Sequence, residues 1–454
     1  MERRELKGQL RLEWERAPLR ALLLLAWPIV VSLLSYATMT LMDTVFVSRL
    51  GASALSGVGL GGMVSWVLIG FSIGLLRAVK ILVSQSAGAR QRQAVDAYRC
   101  AGLVLALALG LLTTAAGLVV AQVLPYITAT ESAGLFAKKY LFIRILGSVP
   151  VLLYVALREA RYGLGDSKLP MRAALIGNFL NMVLDYLWIV VAGFGVAGAA
   201  WATVIGHTVE AAILLGAQTR QGLHWRSLGP NHIRVTWRLG VPTGLQFVLE
   251  FGAFSMLTAM LAALSDVDMA AHQIAIQVIH FSFLPAFALG EACSVLVGQA
   301  VGARRNALVR VIAHKGLAAA ALYTGLGTLV LLIGARPITS AFTTDAALSL
   351  VTVQLLYVAA AFQVFDGANV IARGTLRGAG DVGYSATVCV ATAWALTPPF
   401  GWLLAYKLQL GAFGGWLALC AEIMVGAAIL WWRVERGGWL SAAQRRLREL
   451  PVPP

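Results

Sequence analysis

The stretch Leu82-Val-Ser-Gln-Ser-Ala-Gly-Ala-Arg90 returns 214 residues later as Leu296-Val-Gly-Gln-Ala-Val-Gly-Ala-Arg304, identical at six of nine positions. Self-similarity at a fixed long offset marks an internal repeat, and three further places agree in the same order. Pro28 falls on Pro242. Arg158, Gly163, Gly165 and Asp166 fall on Arg373, Gly378, Gly380 and Asp381, while Gly195 and Gly198 fall on Gly411 and Gly414. The offset drifts only between 214 and 216, so the second half of the chain repeats the first with almost no insertion.

Each copy is made of long apolar runs, Val241–Leu264 and Ala318–Gly334 among them. Of the 454 residues 59% are hydrophobic and 13% charged, against roughly 25% charged in an average soluble protein. A soluble globule is excluded, and runs of this length also exclude the ten-residue alternation of an outer-membrane barrel. The pattern predicts spans at about 21–48, 55–84, 95–123, 133–160, 170–192, 196–218, 237–264, 268–299, 307–334, 346–373, 382–406 and 412–433. The fold class is therefore all-α integral membrane, with twelve transmembrane helices in two six-helix bundles. Six spans per copy is an even number, so the copies run in the same sense and form a parallel repeat about an axis along the membrane normal. The expected organisation is a cytoplasmic N-terminal segment 1–20, an N-lobe 21–218, an inter-lobe linker 219–236, a C-lobe 237–433 and a C-terminal tail 434–454. Trp225, Leu228, Ile233 and Trp237 alternate along the linker in a way that suits the lipid surface.

Thirty-six Lys and Arg against 21 Asp and Glu give a net charge of +15. In a soluble protein this would raise the question of nucleic acid, but the distribution answers it differently. Thirty of the 36 basic residues fall in the two tails and alternate loops with their flanking turns, leaving Arg49, Lys138, Lys139, Arg144, Arg336 and Lys407 on the other side. By the positive-inside rule both termini are expected in the cytoplasm of a plasma (inner) membrane. Glu2, Glu5, Glu13 and Glu15 argue against a cleavable leader, so the first span is expected to act as its own targeting signal. Cys100, Cys293, Cys389 and Cys420 lie in or at the ends of spans and read as small apolar residues rather than a disulfide framework.

Seven acids fall inside predicted spans: Asp43, Asp185, Glu210, Glu250, Glu291, Asp366 and Glu422. Each costs roughly 2.5–3.5 kcal/mol at a helix centre, so seven facing lipid would cost on the order of 20 kcal/mol, more than a whole fold's margin. They must meet water or partners, and such positions are functional candidates by default. A carboxylate at that depth takes a proton, coordinates a hard cation such as Na⁺, or attracts an organic cation. Competition among these at one site is the physical basis of antiport. Asn181 and Asp185 share a helix face at i and i+4, as do Gln246 and Glu250. Thr203 adds a hydroxyl to Asp43, Asn181 and Asp185. Asp366, Asn369 and Arg373 follow one face of span 10, and Gln273, Gln277, His280 and Glu291 form one stripe of span 8, consistent with a hydrated cavity wall. The competing reading of every acid is structural pairing with Arg, Ser or Asn. Gly163-Leu-Gly-Asp166 and Gly378-Ala-Gly-Asp381 read as tight turns, because no Lys-Ser/Thr follows to cradle a phosphate.

These residues carry a resemblance. Met42-Asp43-Thr-Val-Phe-Val-Ser-Arg-Leu-Gly51 after Pro28, Gly177-Asn-Phe-Leu-Asn181-Met-Val-Leu-Asp185-Tyr, Pro242 with Glu250, Ala270-Ala-His-Gln-Ile-Ala275, and Phe362-Gln-Val-Phe-Asp366 leading to Arg373-Gly-Thr-Leu-Arg-Gly-Ala-Gly-Asp381 together resemble the multidrug and toxic compound extrusion (MATE) family over nearly the whole chain. The resemblance implies a V-shaped exporter that expels varied, often cationic compounds against an inward flow of H⁺ or Na⁺. It implies an N-lobe proton or cation site at Asp43, Asn181, Asp185 and Thr203, and a further pair, Glu250 and Asp366, in the manner of the NorM-like branch. Phe362 stands where some members carry a tyrosine.

At the repeat offset Asp43 falls on Leu257, Glu250 on Tyr36, Asn181 on Leu396 and Asp185 on Phe400. The scaffold is duplicated and the acids are not, which points to different tasks for the two copies. The expected function is a secondary active antiporter, monomeric and without an organic cofactor, that exports organic cations in exchange for H⁺ or Na⁺. A lipid or lipid-linked precursor flippase on a related scaffold is the alternative, and it would favour a basic cleft for phosphate. An enzyme is disfavoured, because neither a His-Glu-x-x-His cluster nor a Gly-x-Ser-x-Gly elbow occurs.

Overall fold

The computed structural model describes residues 12–128, 130–220, 222 and 224–449, and these are all-helical with no strand. The helices are α1 (Pro18–Ser48), α2 (Ala52–Gly88), α3 (Arg92–Ile127), α4 (Glu131–Leu146), α5 (Ser148–Gly163), α6 (Lys168–Asp185), α7 (Val196–Arg220), α8 (Pro230–Ala262), α9 (Asp266–Gly302), α10 (Ala307–Ser340), α11 (Ala346–Gly378), α12 (Val382–Trp402), α13 (Gly411–Glu435) and α14 (Leu440–Glu449). One π-helical turn, Tyr186–Val191, extends α6, and another, Leu403–Lys407, extends α12. Of the predicted tails, residues 1–11 and 450–454 lie outside the described residues.

Among the described residues eleven helices, counted with their π extensions, are long and apolar enough to cross a membrane, and α4 with α5 makes a twelfth bent by 48°. The predicted fourth span is therefore broken. Gly147 ends α4, and Pro150, the third residue of α5, has no N–H to give the Leu146 carbonyl. The predicted linker also shortens, because Pro230 opens α8, a position that suits its fixed φ and missing N–H.

Two compact units divide the chain. One holds Pro28–Gly244; the other holds the described residues up to Trp27 and those from Leu245 onward. The divisions fall inside α1 and α8. In the second unit the N-terminal segment is fastened by Trp14, whose indole N–H donates to Gln299 at 2.8 Å, and by an ion pair between Glu15 and Arg305.

The repeat extends to backbone geometry. Arg90 and Arg304, the last residues of the quoted stretch, both adopt left-handed φ, 57° and 59°. In each copy the helix ends in a Schellman cap: Gln91 N–H reaches Ser86 and Arg305 N–H reaches Ala300, at 2.9 and 2.8 Å. Helix crossings repeat as well. A Cβ on Gly163 would lie 2.8 Å from the Lys80 carbonyl, and one on its counterpart Gly378 would lie 2.4 Å from the Ser294 carbonyl. Both sites bring backbone against backbone, which only glycine allows. Both Gly-x-Gly-Asp segments form turns with left-handed Gly165 and Gly380. In the first, Asp166 accepts from the Leu169 N–H at 3.2 Å.

Gly378→Ala is expected to lower stability by about 1–3 kcal/mol through overpacking. Gly325→Ala, a helical position where nothing lies within 4 Å of the added carbon, is expected to be neutral or slightly stabilising. Thermal unfolding of the detergent-purified variants checks this, and equal melting points would refute the crossing.

Candidate functional site

In the Pro28–Gly244 unit four of the predicted site residues come together. α1 supplies Asp43, α6 supplies Asn181 and Asp185 one turn apart, and α7 supplies Thr203. The Asp43 and Asp185 carboxyls face each other within hydrogen-bonding reach. Asn181 Nδ2 donates to Thr203 Oγ1 at 3.5 Å, and that hydroxyl spends its own proton on the Ala199 carbonyl at 2.9 Å. Asn178, on the same side of α6, donates to Ser35 of α1 at 3.0 Å and fastens the two helices. Phe46 and Val47 pack beside the site with Tyr140, Ile189 and Val196.

What this cluster lacks is donors. Asp43 Oδ1, both oxygens of Asp185 and Asn181 Oδ1 are buried with no hydrogen-bond partner among the described residues. Asp185 is 0% exposed and Asn181 1%. Arg144 of α4 and His207 of α7 act on Asp43 through space, but His207 Nδ1 is committed to Glu210 Oε2 at 2.9 Å. Two ionised carboxylates at that range repel each other unless something positive sits between them. Four acceptor oxygens without a proton to share make a set that a proton or a hard cation completes.

The π turn after Asp185 is a wide turn of a kind often found at functional sites. Here it is a property of the scaffold, because the second copy has one after Trp402, where Phe400 stands in the place of Asp185. Chemistry was added to one copy of a shared irregularity.

The other unit carries a cluster of different character. Gln246 donates to Glu250 at 3.0 Å, Arg373 pairs with the same carboxylate oxygen, and Arg377 donates to Gln246 at 2.9 Å. Asp366 lies in the electrostatic reach of Arg373 and Glu250. Thr397 donates to Glu422, which also feels Glu250, Arg373 and Asp366. Here the acids arrive with their own counter-charges, and Glu250 is engaged in an ion pair.

The predicted stripe on span 8 divides. Gln273, Gln277 and His280 lie on an exposed face of α9, whereas Glu291 is buried, 8% exposed, in the tightly packed half that follows Pro285. That end of α9 lies close against α11, where a Cβ on Gly290 would lie 2.8 Å from the Val370 carbonyl and one on Gly378 would lie 2.4 Å from the Ser294 carbonyl.

Three buried polar groups escaped sequence reasoning. His272 accepts from Trp416 Nε1 at 3.1 Å through Nδ1, so its proton is on Nε2, which faces Thr258 Oγ1 at 3.1 Å. Since that hydroxyl donates to the Phe254 carbonyl, the ring is a neutral structural tie. His207 was legible as the residue one turn from Thr203 and three before Glu210. Glu159, at the edge of a predicted span, is 1% exposed and bonded to Arg158 at 2.9 Å, with Lys80 at 3.4 Å. Among the described residues no three His, Cys, Asp or Glu side chains gather as a metal-ligand set.

A family model described as MatE matches residues 28–187 and 242–403, one block in each copy of the repeat. A probable multidrug resistance protein NorM of Pseudomonas putida is 31% identical over 446 residues, covering 92% of this chain and 95% of that protein. Its counterpart from Halalkalibacterium halodurans is 26% identical over 428 residues, with 91% and 93% covered. Among solved structures, a MATE transporter in the bent conformation superposes with a TM-score of 0.87 at 21% identity over 94% of this chain and 97% of that one. The eukaryotic MATE transporter AtDTX14 gives 0.84 at 17% identity, with 96% and 100% covered.

The Glu250–Arg373 pair yields a stability test. Glu250→Gln and Arg373→Gln are each expected to cost about 1–3 kcal/mol, because each strands a charge, and the double variant is expected to be more stable than the sum of the two. Additive losses in a double-mutant cycle of melting points would refute the pairing.

Proposed function

Because the chain belongs to the MatE family of multi-pass drug-efflux transporters, we propose that it exports small organic molecules, cationic ones among them, in exchange for H⁺ or Na⁺. The observation that carries this reading is the group of four buried, donorless oxygens on Asp43, Asn181 and Asp185. A proton on either aspartate supplies the missing hydrogen bond between the carboxyls. A sodium ion would be held by both carboxylates and the Asn181 oxygen, with the Thr203 hydroxyl adjoining. When the cation leaves, two adjacent negative charges remain, and an organic cation relieves their repulsion. Loading by one excludes the other, so a downhill cation drives the cargo uphill.

Glu250, Asp366 and Glu422 form the second polar centre of the proposed cycle. With Arg373 already on Glu250, Asp366 and Glu422 are the acids left to meet cargo or a second ion. The placement of 30 of 36 basic residues in the tails and alternate loops supports cytoplasmic termini and an inner-membrane location.

Proteoliposomes given a sodium gradient alone, then a pH gradient alone, are expected to accumulate ethidium under one of the two. Asp43→Asn and Asp185→Asn are each expected to cut that transport roughly tenfold or more while leaving the melting point near that of wild type. Full transport by either variant would overturn the role of the pair.

A further inference from the structure

Lys138 and Lys139 stand on the wrong side. Both belong to the six basic residues left outside the 30 of the tails and alternate loops. They lie near the start of the fourth span, and so at the membrane face opposite the N-terminus. Of the other four, Arg144 acts on Asp43 and Lys407 lies 5.3 Å from the centre of the Trp402 ring. The two adjacent lysines share a groove of about 380 Å³ between α3 and α4, lined also by Gln122, Leu135, Phe142 and Ile143. Neither makes an ion pair among the described residues, and Glu131, the acid of their own helix, is seven residues away.

The depth of the groove fits a headgroup. At 1.5 Å per residue Lys138 lies about 10 Å below the start of α4 and Gln122 about 8 Å from the end of α3. Tyr126, 88% exposed near that end, has the amphipathic ring that favours the membrane–water boundary. Lysines set just under that boundary extend their ammonium groups back toward it. Phe142 and Ile143, deeper along α4, offer an apolar wall, with Phe142 43% exposed.

We propose that this groove binds the headgroup of an anionic glycerophospholipid in the leaflet opposite the N-terminus, the phosphate between Lys138 and Lys139 and the acyl roots along Phe142 and Ile143. Two neighbouring ammonium groups without a carboxylate partner favour a net negative ligand and disfavour a zwitterionic one, whose own cation they would repel. The volume suits a headgroup rather than a whole lipid, so the chains stay in the bilayer. None of the lining residues belongs to the coupling pair.

Native mass spectrometry of the detergent-purified protein, titrated with phosphatidylglycerol or phosphatidylcholine, tests it. Wild type is expected to retain phosphatidylglycerol preferentially. The double variant Lys138→Gln/Lys139→Gln is expected to lose about thirtyfold in that affinity, Lys138→Arg/Lys139→Arg to keep it, and Arg336→Gln, a basic residue on the same side but outside the groove, to leave it unchanged. Unchanged retention by the double glutamine variant would overturn the proposal. So would equal retention of phosphatidylcholine by wild type, or displacement of the lipid by millimolar inorganic phosphate, which would mark a free-anion site.

Discussion

Two carboxyl groups held face to face in a buried site, with no donor to reconcile them, set the terms for the rest of this protein. Asp43 and Asp185 come from different helices, and their approach depends on the packing of α1, α6 and α7 around Phe46, Ile189 and Val196. Asn178 reaching Ser35, and Asn181 reaching Thr203, tie those helices together. The ties leave the carboxylate oxygens untouched. A fold optimised only for stability would satisfy them, because a buried unpaired acceptor costs about 1–3 kcal/mol. Left open, they are acceptors that a proton or a hard cation can fill.

The second copy of the repeat shows what the scaffold does without that demand. Gly163 and Gly378, Arg90 and Arg304, and the π turns after Asp185 and Trp402 match in geometry. Yet Leu257 stands where Asp43 does and Phe400 where Asp185 does. The acids of the second unit sit elsewhere and come with Arg373 and Arg377. Duplication fixed the backbone, and divergence of single side chains separated an uncompensated site from a compensated one.

Much of this was legible in the residues. Apolar runs and the repeat located every span, and i, i+4 spacing placed Asn181 beside Asp185. The cost of burying acids singled out six of the side chains that the two clusters contain or adjoin: Asp43, Asp185, Glu210, Glu250, Asp366 and Glu422. What spacing did not reveal were relations between helices far apart in sequence. The pairing of Glu250 with Arg373 spans 123 residues, and nothing local to either announces it. Helical periodicity placed Glu291 on a face of α9 and did not announce its burial, which comes from the close packing of that end of the helix. The break at Gly147 was hidden inside an apolar run, although Pro150 three residues later was its local cause.

In the cycle we propose, cargo and coupling cation compete for the oxygens of Asp43 and Asp185. Equilibrium binding of ethidium to the purified protein, titrated with sodium at fixed pH and then with protons in the absence of sodium, measures it directly. One titrant is expected to displace the dye competitively in wild type and to lose that effect in Asp185→Asn. Dye binding indifferent to both sodium and protons would rule that competition out.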